Sequence, residues 1–360
     1  MILKNSPAVF AVGNTYQIMA QTEREVLVSV CVGGKTYYDE SNGIMNSLSP
    51  VHRVTVPMKV LDAEKRYTVC VREIVERKPY FTQTEELVEL SYTFFSVPES
   101  DIRIYHIADA HNRIDQPVAA AKAFGKIDLL ILNGDVIDHS GAPEKFDNIY
   151  EICARITNGA VPVVFSRGNH DMRGQFAEKF IDYTPHQNGN TYYTFRLGSI
   201  WGVVLDCGED KDDIHAEYGH TVACHCFRER QKAFLESIIE NADREYRAPG
   251  VKTRLVIVHN PFSLKKEPPF DIEEDLFSQW DALLRDNIQP DLMICGHTHA
   301  HGIHPVDPQM DAFNQPCTIV VASEPQPEKF IGCGFVVSDS VIEAFFTDSE
   351  GSVSLKYTLQ

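Results

Sequence analysis

Up to Val97 the chain alternates apolar and polar positions in short runs. Val26-Leu27-Val28-Ser29-Val30, Val51-His52-Arg53-Val54-Thr55-Val56, Tyr67-Thr68-Val69-Cys70-Val71 and Leu87-Val88-Glu89-Leu90-Ser91-Tyr92 each send alternate side chains to one face. Period-two runs separated by polar turns predict an antiparallel sheet, and a small β-sandwich is the natural way to bury one face of every strand. No helical period interrupts these runs, and Leu61-Asp62-Ala63-Glu64-Lys65 stands as a connection between two strands.

The pattern changes at Ser96-Val97-Pro98-Glu99-Ser100, where a proline among small and charged residues stops the strand period and reads as a linker. Beyond it, continuous apolar runs alternate with helix-period segments at Glu144 to Ile156 and Arg228 to Ile239. That alternation predicts an α/β domain. The 360 residues therefore divide into an all-β unit, residues 1–98, and an α/β unit, residues 99–360.

In α/β sheets the chemistry collects beyond the carboxyl ends of strands. Ile102 to Ala108 leads into Asp109-Ala110-His111, Leu129 to Leu132 into Asn133-Gly134-Asp135, and Val161 to Phe165 into Gly168-Asn169-His170-Asp171. Leu255 to Val258 delivers His259, and Leu292 to Cys295 delivers Gly296-His297-Thr298-His299. Any one of these pairs arises by chance. Five together place carboxylate, amide and imidazole groups where a folded sheet gathers them into one cleft. Oxygen and imidazole donors without thiolate suit Mn²⁺, Fe or Zn²⁺ rather than a structural cysteine-rich zinc site. Cys224-His225-Cys226 is the competing metal motif, but its residues are too closely spaced and lack a second cysteine pair, so a loop or core role is expected.

Charge narrows the partners. With 51 acidic and 33 basic side chains the net charge is -18, which opposes non-specific binding to nucleic acid or anionic lipid. The first residues lack a signal-peptide pattern and no apolar stretch approaches the ~20 residues that cross a bilayer. Nine scattered cysteines suit reduced thiols, so a cytoplasmic protein without membrane or nucleic-acid partners is expected.

In order along the chain, Asp109-x-His111, Gly134-Asp135, Gly168-Asn169-His170-Asp171, His259 and Gly296-His297-x-His299 resemble the signature of the calcineurin-like metallophosphoesterases. The resemblance runs from about Asp101 to the carboxyl terminus and implies a four-layer αββα sandwich, here preceded by the small all-β sandwich. It implies two divalent metal ions, Mn, Fe or Zn, with Asp109, His111 and His299 on one, Asn169, His259 and His297 on the other, and Asp135 between them. It also implies that His170 acts on the substrate without binding metal, oriented by Asp171. Such a site hydrolyses phosphoesters by direct attack of a metal-bridging hydroxide. The stretch from Val51 to Val71 resembles a fibronectin type III pattern, a pairing found in purple acid phosphatases. Those enzymes have glycine at the position of His111 and a tyrosine ligand after the Gly-Asp block, whereas Gly134-Asp135-Val136-Ile137-Asp138-His139 contains none. The chain is closer to bacterial metallophosphoesterases with the same domain order.

For the substrate, a phosphorylated small molecule or peptide is expected. Arg173 is the preferred phosphate-binding guanidinium, ahead of Arg167, and His139 and His220 are further cleft candidates. Asp206 to Phe227, rich in Asp, Glu, His and Gly, reads as a loop beside the cleft. Phosphomonoester hydrolysis is the first expectation and phosphodiester hydrolysis the alternative. A non-catalytic scaffold on a phosphoesterase fold is the rival of another class, disfavoured because the ligand pattern is complete. Oligomeric state is not legible.

Overall fold

The structure is a computed structural model that describes residues 2–307, 312–339 and 341–359. Its first sheet is built on three parallel strands, Ile102–Ile107, Leu129–Asn133 and Val163–Ser166. Strand periodicity sends successive side chains to opposite faces. Ile102, Ile104, Leu129 and Ile131 face a core shared with a second sheet, while Tyr105, Ile107, Leu130 and Leu132 pack beneath the helices Asp115–Phe124 and Asp147–Thr157.

The second sheet repeats the arrangement. Ile200–Leu205, Thr253–Val258, Leu292–Cys295 and Ile319–Val321 run parallel, with Tyr193–Leu197 and Gly302–His304 at its edges. Leu255, Ile257, Leu292 and Ile294 join the shared core. Val256, Val258, Met293 and Cys295 pack with Leu235, Ile238, Phe277 and Trp280 of the helices Cys224–Glu240 and Glu274–Leu283. Two sheets packed face to face between outer helices make the expected αββα sandwich, and each strand's continuous apolar run follows from its burial on both sides.

The amino-terminal region is β-rich, as expected, and the four predicted runs fall in the strands Thr15–Val32, Leu48–Pro57, Arg66–Arg72 and, apart from Leu87, Val88–Thr93. The long strand pairs with Leu48–Pro57 and, past a register shift between Gln21 and Val26, with Arg66–Arg72. Two features differ from the sequence reading. Met58–Glu64 is a helix, held by buried Met58 and Leu61 and closed by Lys65 at φ 54°, whose N–H donates to the Leu61 carbonyl at 2.8 Å. With so short a helix, two apolar positions cannot set a visible period. Ala8–Val12, buried at all five positions, pairs antiparallel with Thr15–Val32 and parallel with Val163–Ser166. Hydrogen bonding thus runs from the amino-terminal strands into a 13-stranded sheet, and Ile18, Val28, Tyr67 and Val69 share one apolar core with Ile102 and Ile104. Among the described residues no helix is long and apolar enough to cross a membrane.

Candidate active site

All five motif blocks emerge at the carboxyl ends of parallel strands, on the same side of the two sheets. The chain reverses sharply there. Asp109, His111, Asp135, His297 and His299 all adopt positive φ, between 46° and 72°, a conformation that non-glycine residues rarely hold and that concentrates at functional sites. Gly134 has φ 79°, and a Cβ on it would lie 2.6 Å from the Gly168 Cα and from His259 Nδ1. Only glycine brings those turns so close. Asn133 ties the two sheets together, its Nδ2 donating to the carbonyls of Val258 at 3.2 Å and Ile294 at 3.0 Å.

The side chains converge in three overlapping groups: Asp109 with His111 and His299; Asp135 with His259 and His297; and Asp135 with His111 and His170. Within each group the ligand-type atoms lie within 4.8 Å of one another. His259 Nδ1 lies 2.7 Å from the Asn133 carbonyl, to which it donates, so its Nε2 is aimed at Asp135 at 3.2 Å and Asp109 at 3.7 Å. That buried nitrogen has no well-formed hydrogen bond. His111 Nε2 and His299 Nε2 face each other at 3.0 Å, and His297 Nδ1 is 3.0 Å from Asn169 Oδ1. Imidazole, amide and carboxylate groups gathered this closely are a donor set that fits divalent metals.

The buried acid and imidazole groups act strongly on one another. Burial opposes charge on His259, but Asp135 and Asp109 overcome it and raise the imidazole to about 10. Burial likewise opposes charge on Asp135, yet His259, His170 and His111 hold its carboxyl well below the ordinary range. Burial, then the neighbouring His259, lowers His297 to about 3.

His170 lines the cleft. Its backbone N–H donates to Asp135 Oδ1 at 2.9 Å and its ring Nδ1 lies 3.0 Å from the Asp138 carbonyl, an orientation that leaves Nε2 free for a substrate. Asp171, expected to orient His170, has its hydrogen bonds elsewhere. The buried Asp171 carboxylate accepts instead from the backbone N–H groups of Gly168 at 2.8 Å and Asp135 at 3.2 Å, bracing the two turns against each other. Burial, reinforced by Asp135, pushes its carboxyl well above the ordinary range.

Arg173 reaches the cleft but its guanidinium is already held by Glu209 in a two-point contact at 2.9 and 2.8 Å and by Glu217 at 3.1 Å. Arg167 is paired with Asp206. His220 is exposed and His139 contacts Asp138 and the Gly141 N–H, and neither lines the cleft. Cys224-His225-Cys226 opens a helix, with Cys224 buried and His225 paired to Glu273, as a core or loop role requires. The structure adds Asp210, Lys211, Lys266 and Phe270 to the cleft, a space of about 490 Å³. Asp210 and Lys211 fall in the loop that the sequence places there. Lys266 and Phe270 lie in an aperiodic segment after His259 that carries no motif.

The model of the calcineurin-like phosphoesterase family matches residues 102–301. No curated protein matches the chain. Among solved structures, the chain is similar to purple acid phosphatase PPD1 from yellow lupin (Lupinus luteus) seeds, with 13% identity and a TM-score of 0.61 over 98% of this chain and 74% of that one. It is also similar to the protein TT1561 of Thermus thermophilus, with 11% identity and a TM-score of 0.43 over 68% of this chain and 98% of that one. At these identities the first likeness concerns the fold, and the second carries no weight. The matched family model spans more than half the chain and all five motif blocks, and the chain belongs to the calcineurin-like phosphoesterases, metal-dependent hydrolases of phosphoester bonds.

Proposed function

We propose that the protein hydrolyses phosphomonoesters of small molecules or peptides at a site holding two divalent metal ions, Mn, Fe or Zn. The observation that carries this reading is the convergence of three overlapping Asp/His groups, two of them sharing Asp135, with ligand-type atoms within 4.8 Å of one another. Asp109, His111 and His299 would hold one ion, Asn169, His259 and His297 the other, and Asp135, adjacent to both sets, would serve both. When bound, the ions supply Lewis-acid charge that acidifies water and offsets phosphoryl charge.

The residues around the ions do the rest. The Asn133 carbonyl fixes the His259 tautomer, keeping Nε2 as a donor toward metal. The Asp138 carbonyl takes the Nδ1–H of His170 and fixes the ring, so that in its doubly protonated form His170 would give the Nε2 proton to the leaving oxygen. Asp171 keeps the Gly134-Asp135 and Gly168-Asn169 turns in register. The β-rich region of residues 1–98 is proposed as a fibronectin type III-like unit. All nine cysteines are free, which supports a reducing, cytoplasmic setting.

The test is turnover of an aryl phosphate and of its diester by protein loaded with Mn²⁺, Zn²⁺ or Fe²⁺. Hydrolysis of the monoester in preference to the diester supports the reading. Metal-loaded protein inert toward both, and toward a broad panel of phosphorylated metabolites and phosphopeptides, would overturn it.

A further inference from the structure

The cations around the cleft are not equivalent. Arg173 is neutralised by Glu209 and Glu217, and Lys211 by Asp210 at 2.9 Å and Glu217 at 3.0 Å. Lys266 is different. Its ammonium donates to Asn260 Oδ1, a neutral amide, and among the described residues no carboxylate lies within ion-pair distance. A positive charge withdrawn from water beside a neutral partner is costly, and an arriving anion relieves that cost.

Position supports the same conclusion. Lys266 lines the same cleft as Asp135, Asn169, His170 and His297. Asn260, its anchor, directly follows His259, so the ammonium is held beside the turn that delivers a proposed metal ligand. Lys266 follows the second-sheet strand Thr253–Val258 and His170 the first-sheet strand Val163–Ser166, so the two come to the cleft from different sheets.

We propose that Lys266 reads the charge of the substrate phosphate and selects monoesters over diesters. The inference rests on the phosphoesterase reading above and deepens it. A monoester near neutral pH carries three unesterified oxygens and close to two negative charges. A diester carries two such oxygens and one charge. If metal ions held two of those oxygens, the third would be left to Lys266, which lines the same cleft. In a monoester that oxygen is anionic and accepts a charge-assisted hydrogen bond. In a diester it bears an alkyl or aryl group, offers no charge, and leaves the ammonium as poorly compensated as before. Arg173 cannot take this role without abandoning Glu209, whose side chain is only 1% exposed and would be left buried and unpaired.

The experiment uses the full chain loaded with metal and compares wild type with Lys266→Met and Lys266→Arg. Calorimetric titration with inorganic phosphate reads the charge contact without turnover. Lys266→Met is expected to weaken phosphate binding by roughly 10- to 100-fold, the range of a charged hydrogen bond, with metal content unchanged. kcat/KM for p-nitrophenyl phosphate falls by a similar factor, while that for bis(p-nitrophenyl) phosphate changes by less than about threefold. Lys266→Arg keeps most of the phosphate affinity because it keeps the charge. Unchanged phosphate affinity in Lys266→Met, or equal losses on the two esters, would overturn the proposal. A protein that hydrolyses neither ester, nor any of the phosphorylated metabolites and phosphopeptides, refutes the functional reading, and the phosphate titration still decides whether Lys266 binds the phosphate charge.

Discussion

The two sets of facing donors are built from the same residue types and differ in depth. Asp109, His111 and His299 form a group whose outer member, His299, leaves 47% of its side chain exposed. Asp135, His259 and His297 lie deeper, with His259 3% and His297 15% exposed. Strand depth explains the contrast. His259 follows its strand immediately and is held against the Asn133 carbonyl, whereas His299 stands four residues beyond Cys295 on a turn that faces solvent. An ion in the deeper set would be shielded and slow to exchange, and one in the outer set open to chelators and substrate.

The largest change should come from the residue that removes the comparison altogether. Asp135→Asn takes away the carboxylate adjacent to both sets, and metal analysis should show both ions lost, with kcat down by on the order of 10⁴-fold or more, as when a catalytic unit is broken. Full occupancy in that variant would mean the two sets are held independently. His170→Ala should leave both ions in place and lower kcat by about 10²- to 10⁴-fold; turnover equal to wild type would remove His170 from the chemistry.

The depth difference itself is tested by His299→Ala. It should weaken the outer ion by more than the roughly 10- to 100-fold typical of losing an outer partner, leave the deeper ion in place, and speed the first phase of chelator extraction. Equal loss of both ions would abolish the distinction. Asp171→Ala orphans two buried backbone N–H groups and should cost about 1–3 kcal/mol for each, read from denaturant unfolding. The exposed His220 marks the small end: His220→Ala should change stability by no more than about 0.5 kcal/mol and leave kcat unaltered.

Much of this geometry was legible in the chain. Parallel strands end on one side of a sheet, so an apolar run followed by Asp, Asn or His is a positional signal, and the five blocks stand together in space for that reason. Other contributions were silent. Lys266 and Phe270 follow His259 through an aperiodic segment, and nothing local marks which way such a segment folds back. Asp171 sits beside His170 in sequence, which invited a partnership that the backbone turns supplant. Ala8–Val12 is a short apolar run whose parallel partner, Val163, lies far along the chain.

The sequence by itself determined a β-rich region followed by an α/β one, the order of the ligand-type residues and, through their resemblance, the family, because periodicity and strand-end chemistry are local properties. Only the tertiary structure decided which imidazoles face which carboxylates, which cations already have counter-ions, and how the amino-terminal strands join the main sheet. Those outcomes depend on distances between residues far apart in the chain, and the packing of two sheets sets such distances.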